Sequence, residues 1–246
     1  MGTPLTRPRP QSLRVLRVTL SQRIENVRES MAAACTRAGR KPDSARLVVV
    51  TKAAPPEIFA ELGSLEVTDL GENRVQGSEQ RLAGVEKSFR WHFVGHLQSN
   101  KVRKAVPLFD VFHGVDTEDL MWRIDRVAGE LHRKPDLMLQ VNISGEASKS
   151  GLTPHEVRRV LEASDDLKHA RLTGLMTMAP QAEHPEACRP VFQELANLRD
   201  SLARGRDNFR DLSMGMSSDF AVAIEEGATW VRIGRQITAP GIRGVD

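Results

Sequence analysis

At 246 residues, 40% of them hydrophobic and 27% charged, the chain is long enough for one large core. It matches a single barrel domain of about 250 residues and leaves little room for a second catalytic domain. A formal net charge of +3 suggests nucleic acid, but Arg7, Arg9, Arg14 and Arg17 precede every acidic residue and +3 less these four leaves −1 for the rest, which excludes a basic nucleic-acid-binding body.

No apolar run is long enough to span a bilayer, and residues 1–10 lack the apolar core of a signal peptide. The sequence therefore reads as cytoplasmic, with no membrane partner. Cys35 and Cys188 match no metal-ligand spacing, and they read as buried small residues rather than a disulfide.

Residues 1–12 are expected to be a disordered basic tail and 13–246 one domain. From there a helix is predicted to about Ala38, because Leu20, Ile24, Val27, Met31, Cys35 and Ala38 recur at steps of three and four before Gly39. Next comes Leu47-Val48-Val49-Val50-Thr51-Lys52. Four consecutive apolar residues, three of them β-branched, predict a strand covered on both faces. Further strand-like segments lie near 67–70, 91–95, 111–115, 137–142, 172–177, 210–214 and 229–233. Helical stretches separate them, the clearest at 118–131 and 185–204. Lys101, Arg103 and Lys104 read as a solvated helix face. Eight strands alternating with helices predict a single α/β domain, a closed (β/α)8 TIM-type barrel with an additional N-terminal helix, and the absence of G-x-G-x-x-G after the first strand counts against a Rossmann fold.

Chemistry is then expected at the carboxyl ends of the strands. Lys52 ends the first, and an amine partly withdrawn from water attacks carbonyls. Gly71-Glu72-Asn73 follows the second, and 95–101 follows the third. Met214-Gly215-Met216-Ser217-Ser218-Asp219 follows the seventh, and Val231-Arg232-Ile233-Gly234 ends the eighth. Glycine, hydroxyls and free N–H groups at a helix start make an anion cradle, and loops seven and eight of barrels commonly hold phosphate. A lysine facing a phosphate site fits a phosphorylated aldehyde, with pyridoxal 5'-phosphate the leading candidate.

Several blocks carry a family resemblance: Val-Thr-Lys at 50–52, Gly-Glu-Asn-Arg-Val-Gln at 71–76, Trp-His-Phe-Val-Gly-His-Leu-Gln-Ser-Asn-Lys at 91–101, Ser-Lys-Ser-Gly at 148–151, Gly-Leu-Met at 174–176, Leu-Ser-Met-Gly-Met-Ser at 212–217 and Val-Arg-Ile-Gly at 231–234. Together they resemble the pyridoxal phosphate homeostasis proteins, which are similar to the barrel domain of alanine racemase without its second domain. The resemblance implies that Lys52 carries the cofactor as an internal aldimine. It implies that Ser217, with the backbone around Gly234 and Arg235, holds the phosphate, that Arg232 approaches the pyridine nitrogen, and that Asn73 and Met176 line the cofactor. Lys149 matches a second family lysine, a transient acceptor in one reading and a solvated loop residue in the other. The chain departs from the family at 235–241, where Arg235 stands in place of a small residue.

The function expected is storage and delivery of pyridoxal phosphate, in a monomer whose partners are the cofactor and apo-enzymes that use it, without strong catalysis. The racemase mechanism needs a tyrosine opposite the lysine, and this chain has none. The alternatives are a pyridoxal phosphate-dependent racemase using His92, His96 or a residue of a partner chain as second base, a cofactor-free Schiff-base aldolase acting on a sugar phosphate, and a scaffold whose basic tail binds RNA or membrane.

Overall fold

The computed structural model describes residues 18–52, 54–85, 89–146 and 150–239. The predicted tail at 1–12 and Lys149 lie outside the described residues. In chain order the elements are α1 (Leu20–Arg37), β1 (Arg46–Val50), α2 (Ile58–Ser64), β2 (Asp69–Glu72), α3 (Ser78–Leu82), β3 (Arg90–Phe93), α4 (Val102–Ala105), β4 (Val111–Val115), α5 (Glu118–Glu130), β5 (Asp136–Gln140), α6 (Pro154–Ala163), β6 (Arg171–Met176), α7 (Arg189–Leu202), β7 (Asp211–Ser213), α8 (Phe220–Glu225), β8 (Trp230–Ile233) and α9 (Arg235–Thr238). All strand pairs are parallel, and β8 returns to β1 to close the barrel.

Two predicted boundaries move. The first helix starts at Leu20, because the Thr19 hydroxyl accepts from Gln22 N–H while the Gln22 side chain accepts from Thr19 N–H, a reciprocal cap that sets the start. The second strand runs over 69–72 rather than ending at Leu70. Gly71 faces inward, where a Cβ would lie 3.0 Å from Val48 Cγ1, so strand geometry with a small residue suits that position.

Alternation along the strands separates two cores. The outward set, including Val49, Leu70, Phe93, Phe112, Leu139 and Leu212, packs under the helices. Val48, Val111, Met138, Met176 and Trp230 form a separate apolar cluster within the barrel. At its amino-terminal end, residues that begin strands pair their charges: Arg46 with Asp211, and both Arg90 and Arg171 with Asp136. The Arg46 guanidinium stacks 3.6 Å from the Trp230 ring centre.

Helix α1 packs on this chain's own barrel, against α8 and α9. Leu20, Ile24, Val27, Met31, Ala34 and Cys35 form its buried stripe. Arg23 Nη1 donates to Ala239 O at 2.6 Å, and beyond the helix end Arg40 donates to Ile224 O at 2.6 Å and Ala228 O at 2.9 Å. The additional helix therefore braces the two short helices that follow β7 and β8. Both cysteines are buried and outside any disulfide, as expected, and no helix among the described residues is long and apolar enough to cross a membrane.

Candidate functional site at the strand carboxyl ends

Lys52 follows β1 in a turn closed by Ala54 N–H donating to Thr51 O at 2.8 Å. Its side chain is exposed on the rim rather than partly withdrawn from water as expected, because the residue beneath it, Thr51, takes the buried position. Two residues with no role assigned from the sequence hold this turn. Arg81 on α3 donates to Thr51 O at 3.0 Å, to Ala54 O at 2.8 Å and to Glu72 at 3.3 Å. Glu72, 3% exposed, accepts from the Thr51 hydroxyl at 2.8 Å. Burial pushes the Glu72 carboxyl up, opposed by Thr51, Arg81 and the nearby Lys52 charge. Glu72 lies inside the Gly-Glu-Asn block, but its partner Arg81 belongs to no motif.

Strand β8 lies beside β1, with Ile233 in register with Val49. The buried Arg232 donates through Nη2 to Thr177 O at 3.1 Å, and its Nη1 donates to Ser213 Oγ. Burial lowers the guanidinium to about 10, opposed by Asp219, so it remains a cation at neutral pH. Its backbone N–H donates to Gly215 O at 3.0 Å, tying β8 to the loop after β7.

That loop requires its glycine. Gly215 has φ +92°, and a Cβ there would come 2.6 Å from Ala223 Cβ and 2.9 Å from Phe220 Cα. Asp219 Oδ1 accepts from Met216 N–H at 2.6 Å, which folds the turn back on itself. Burial raises the Asp219 carboxyl against this bond and against Arg232. Ser217 is exposed and makes no hydrogen bond to protein among the described residues. After β8, Ile237 and Thr238 N–H donate to Gly234 O, while the Arg235 and Gln236 N–H groups have no protein acceptor among the described residues. Donors at a helix start beside free hydroxyls suit an anion. The Arg235 side chain is exposed.

The structure thus brings Lys52, Arg232, Gly234, Arg235 and the Ser217 loop to adjacent strand ends. Asn73 stands half-buried at the end of β2, and its carbonyl backs Gly95, where a Cβ would lie 2.3 Å from it. Met176 is buried at the end of β6 within the inner apolar cluster. His92 is removed from the rim: its ring is fully buried, with Nδ1 on His113 and Nε2 on Asp69. His96 is exposed and pairs with Asp116 at 2.9 Å. A cavity of about 430 Å³ lies at the opposite end of the barrel, lined by Arg28, Arg46 and Asp69 among others. It holds none of the residues singled out as a site.

These features define a barrel with a rim lysine, neighbouring loops whose unpaired donors suit an anion, and a buried guanidinium on the strand between them. Residues 23–239 match the family described as alanine racemase, N-terminal domain. The chain is 39% identical over 215 residues to the pyridoxal phosphate homeostasis protein of Aquifex aeolicus, covering 87% of this chain and 94% of that one. Two solved structures of PipY from Synechococcus elongatus, one described with PLP bound and one without, superpose with TM-scores of 0.79 and 0.82 at 34% identity, covering 90% of this chain and all of theirs. The chain belongs to the pyridoxal phosphate homeostasis protein family.

Proposed function

We propose that this protein binds pyridoxal 5'-phosphate reversibly and covalently through Lys52, and so stores and delivers the cofactor rather than catalysing strongly with it. The observation that carries the reading is the convergence of Lys52, Arg232 and the Gly215–Asp219 and Gly234–Arg235 backbones on adjacent strand ends. The residues fit the group. Lys52 offers an amine for its aldehyde. Ser217 and the free N–H groups of Arg235 and Gln236 offer donors for its phosphate, and Arg235 adds charge. Asn73 and Met176 would line the site of its ring. When bound, pyridoxal phosphate supplies an electron sink whose strength depends on protonation of its ring nitrogen.

Arg232 bears on that dependence. A guanidinium donates hydrogen bonds and does not take up or give a proton near neutral pH. Placed opposite the ring nitrogen, it would leave that atom unprotonated and weaken the sink. The chain also contains no tyrosine, the residue a racemase places opposite its lysine. His92, one histidine that could substitute, is engaged on both ring nitrogens inside the barrel.

The test is a titration of the purified protein with pyridoxal phosphate, followed by visible absorption and by transfer to an apo-enzyme. A one-to-one yellow complex that reactivates the apo-enzyme and racemises no amino acid is expected. Enzyme-like racemisation abolished by Lys52→Ala would reject the storage reading, and a protein that stays colourless with excess cofactor would reject the binding reading. Transfer that disappears when a trap for free cofactor is present would place delivery through solution rather than through contact. A monomer in size-exclusion chromatography accompanies this reading.

A further inference from the structure

Five side chains on five strands form one unbroken line through the barrel. Arg232 Nη1 bonds Ser213 Oγ, Ser213 Oγ lies 2.6 Å from His113 Nδ1, His113 Nε2 lies 2.8 Å from His92 Nδ1, and His92 Nε2 lies 2.8 Å from Asp69 Oδ1. The line starts from β8 near the carboxyl-terminal rim and ends at the first residue of β2, on the wall of the opposite cavity.

Counting donors fixes its direction. A guanidinium cannot accept and an ionised carboxylate cannot donate, so Ser213 Oγ accepts from Arg232 and His92 donates to Asp69 through Nε2–H. With both rings neutral, His92 Nδ1 then accepts from His113 Nε2–H, and His113 Nδ1 is left to accept the Ser213 hydroxyl proton. Every bond points from the cation to the anion. The order requires both rings to be neutral, and burial pushes both imidazoles down. For His113, the His92, Arg232, Arg90 and Arg46 charges act in the same direction, while for His92 the Asp69 and Asp110 carboxylates oppose burial and Arg90.

Barrel interiors are ordinarily filled by branched apolar side chains, and filling this one so would desolvate no polar groups. The line does something an apolar filling does not: it leaves the Arg232 guanidinium one hydrogen-bonded orientation, with Thr177 O fixing its other arm.

We propose that Ser213, His113, His92 and Asp69 are positioning residues for Arg232, a one-way hydrogen-bond relay that anchors the guanidinium from the far end of the barrel and reserves its remaining N–H groups for a ligand at the rim. The relay stands on the protein alone; its role toward the cofactor ring rests on the function proposed above.

The test uses ¹⁵N-histidine NMR on the protein without added cofactor, which separates failure of the relay from failure of cofactor binding. Among the seven histidines, the two assigned through His92→Gln and His113→Gln are expected to be neutral at pH 7.5 with the proton on Nε2. An imidazolium, or a proton on Nδ1 of either ring, would overturn the proposal. Exchange of the Arg232 guanidinium protons reads the coupling. Asp69→Ala, at the remote end, is expected to speed it by roughly tenfold, as loss of one buried hydrogen bond implies. Asp69→Asn keeps an acceptor and should restore slow exchange, and Ser213→Thr should do so where Ser213→Ala does not. Folded Asp69→Ala protein with wild-type exchange at Arg232 would overturn it.

Discussion

Gly215 shows how much one residue decides. Its left-handed backbone and the 2.6 Å approach to Ala223 Cβ leave alanine no low-strain solution. Gly215→Ala should cost about 1–3 kcal/mol of stability, measurable by urea denaturation. It should weaken pyridoxal phosphate binding more than pyridoxal binding, because the turn carries Ser217. Equal loss for both ligands would remove the loop from the phosphate site. Arg81 makes a second case. It holds both carbonyls that flank the Lys52 turn and reaches Glu72, so Arg81→Ala should slow capture of the aldehyde several-fold, the effect of about 1 kcal/mol. Stopped-flow absorption would show unchanged capture if the turn holds itself. The motifs pointed to Lys52, Ser217 and Arg232, which the fold places at adjacent strand ends. They did not expose Arg81, or the His92–His113 line, because those partners are far apart in sequence and meet only when the barrel closes.

Helix α1 is a brace whose value lies in what it holds. Ile24, 1% exposed, lies on the buried stripe of α1, the helix that packs on α8 and α9, and Ile24→Ala should cost about 2–5 kcal/mol. The same variant should weaken phosphate binding, since the donors proposed for the phosphate lie at the starts of the braced helices. Stability loss in urea without any change in phosphate affinity would confine α1 to a stabilising role. The strands were readable from runs such as Leu-Val-Val-Val, because a sheet covered on both faces demands apolar side chains on both sides. The second strand was misplaced because Gly71 and Glu72 look like turn residues locally. Their strand geometry is set by Val48 across the interior and by Thr51 just past the end of the neighbouring strand. Where α1 would pack could not be read from its own stripe, because an apolar stripe fits any apolar partner.

For the molecule as a whole, the barrel interior makes stability depend on pH. Unfolded histidine takes up a proton near pH 6.5, whereas His92 and His113 stay neutral below that value. Their contribution is therefore complete above about pH 6.5 and declines as pH falls through the window down to the depressed folded values. Each proton taken up only on unfolding costs about 1.4 kcal/mol per pH unit. Arg46, Arg90 and Arg232 reinforce the effect, Asp69 and Asp110 oppose it at His92, and the lowered Asp69 carboxyl acts only below about pH 4. Urea midpoints between pH 7.5 and 5.0 should fall in the wild type and fall less steeply in His113→Gln; equal slopes would contradict neutral buried rings. The most direct test of the account is borohydride reduction of the protein incubated with pyridoxal phosphate, followed by peptide mass mapping. The account predicts one pyridoxyl group, on Lys52, and none in folded Lys52→Ala. A pyridoxyl group on another lysine in the wild type, or none on any, would contradict it.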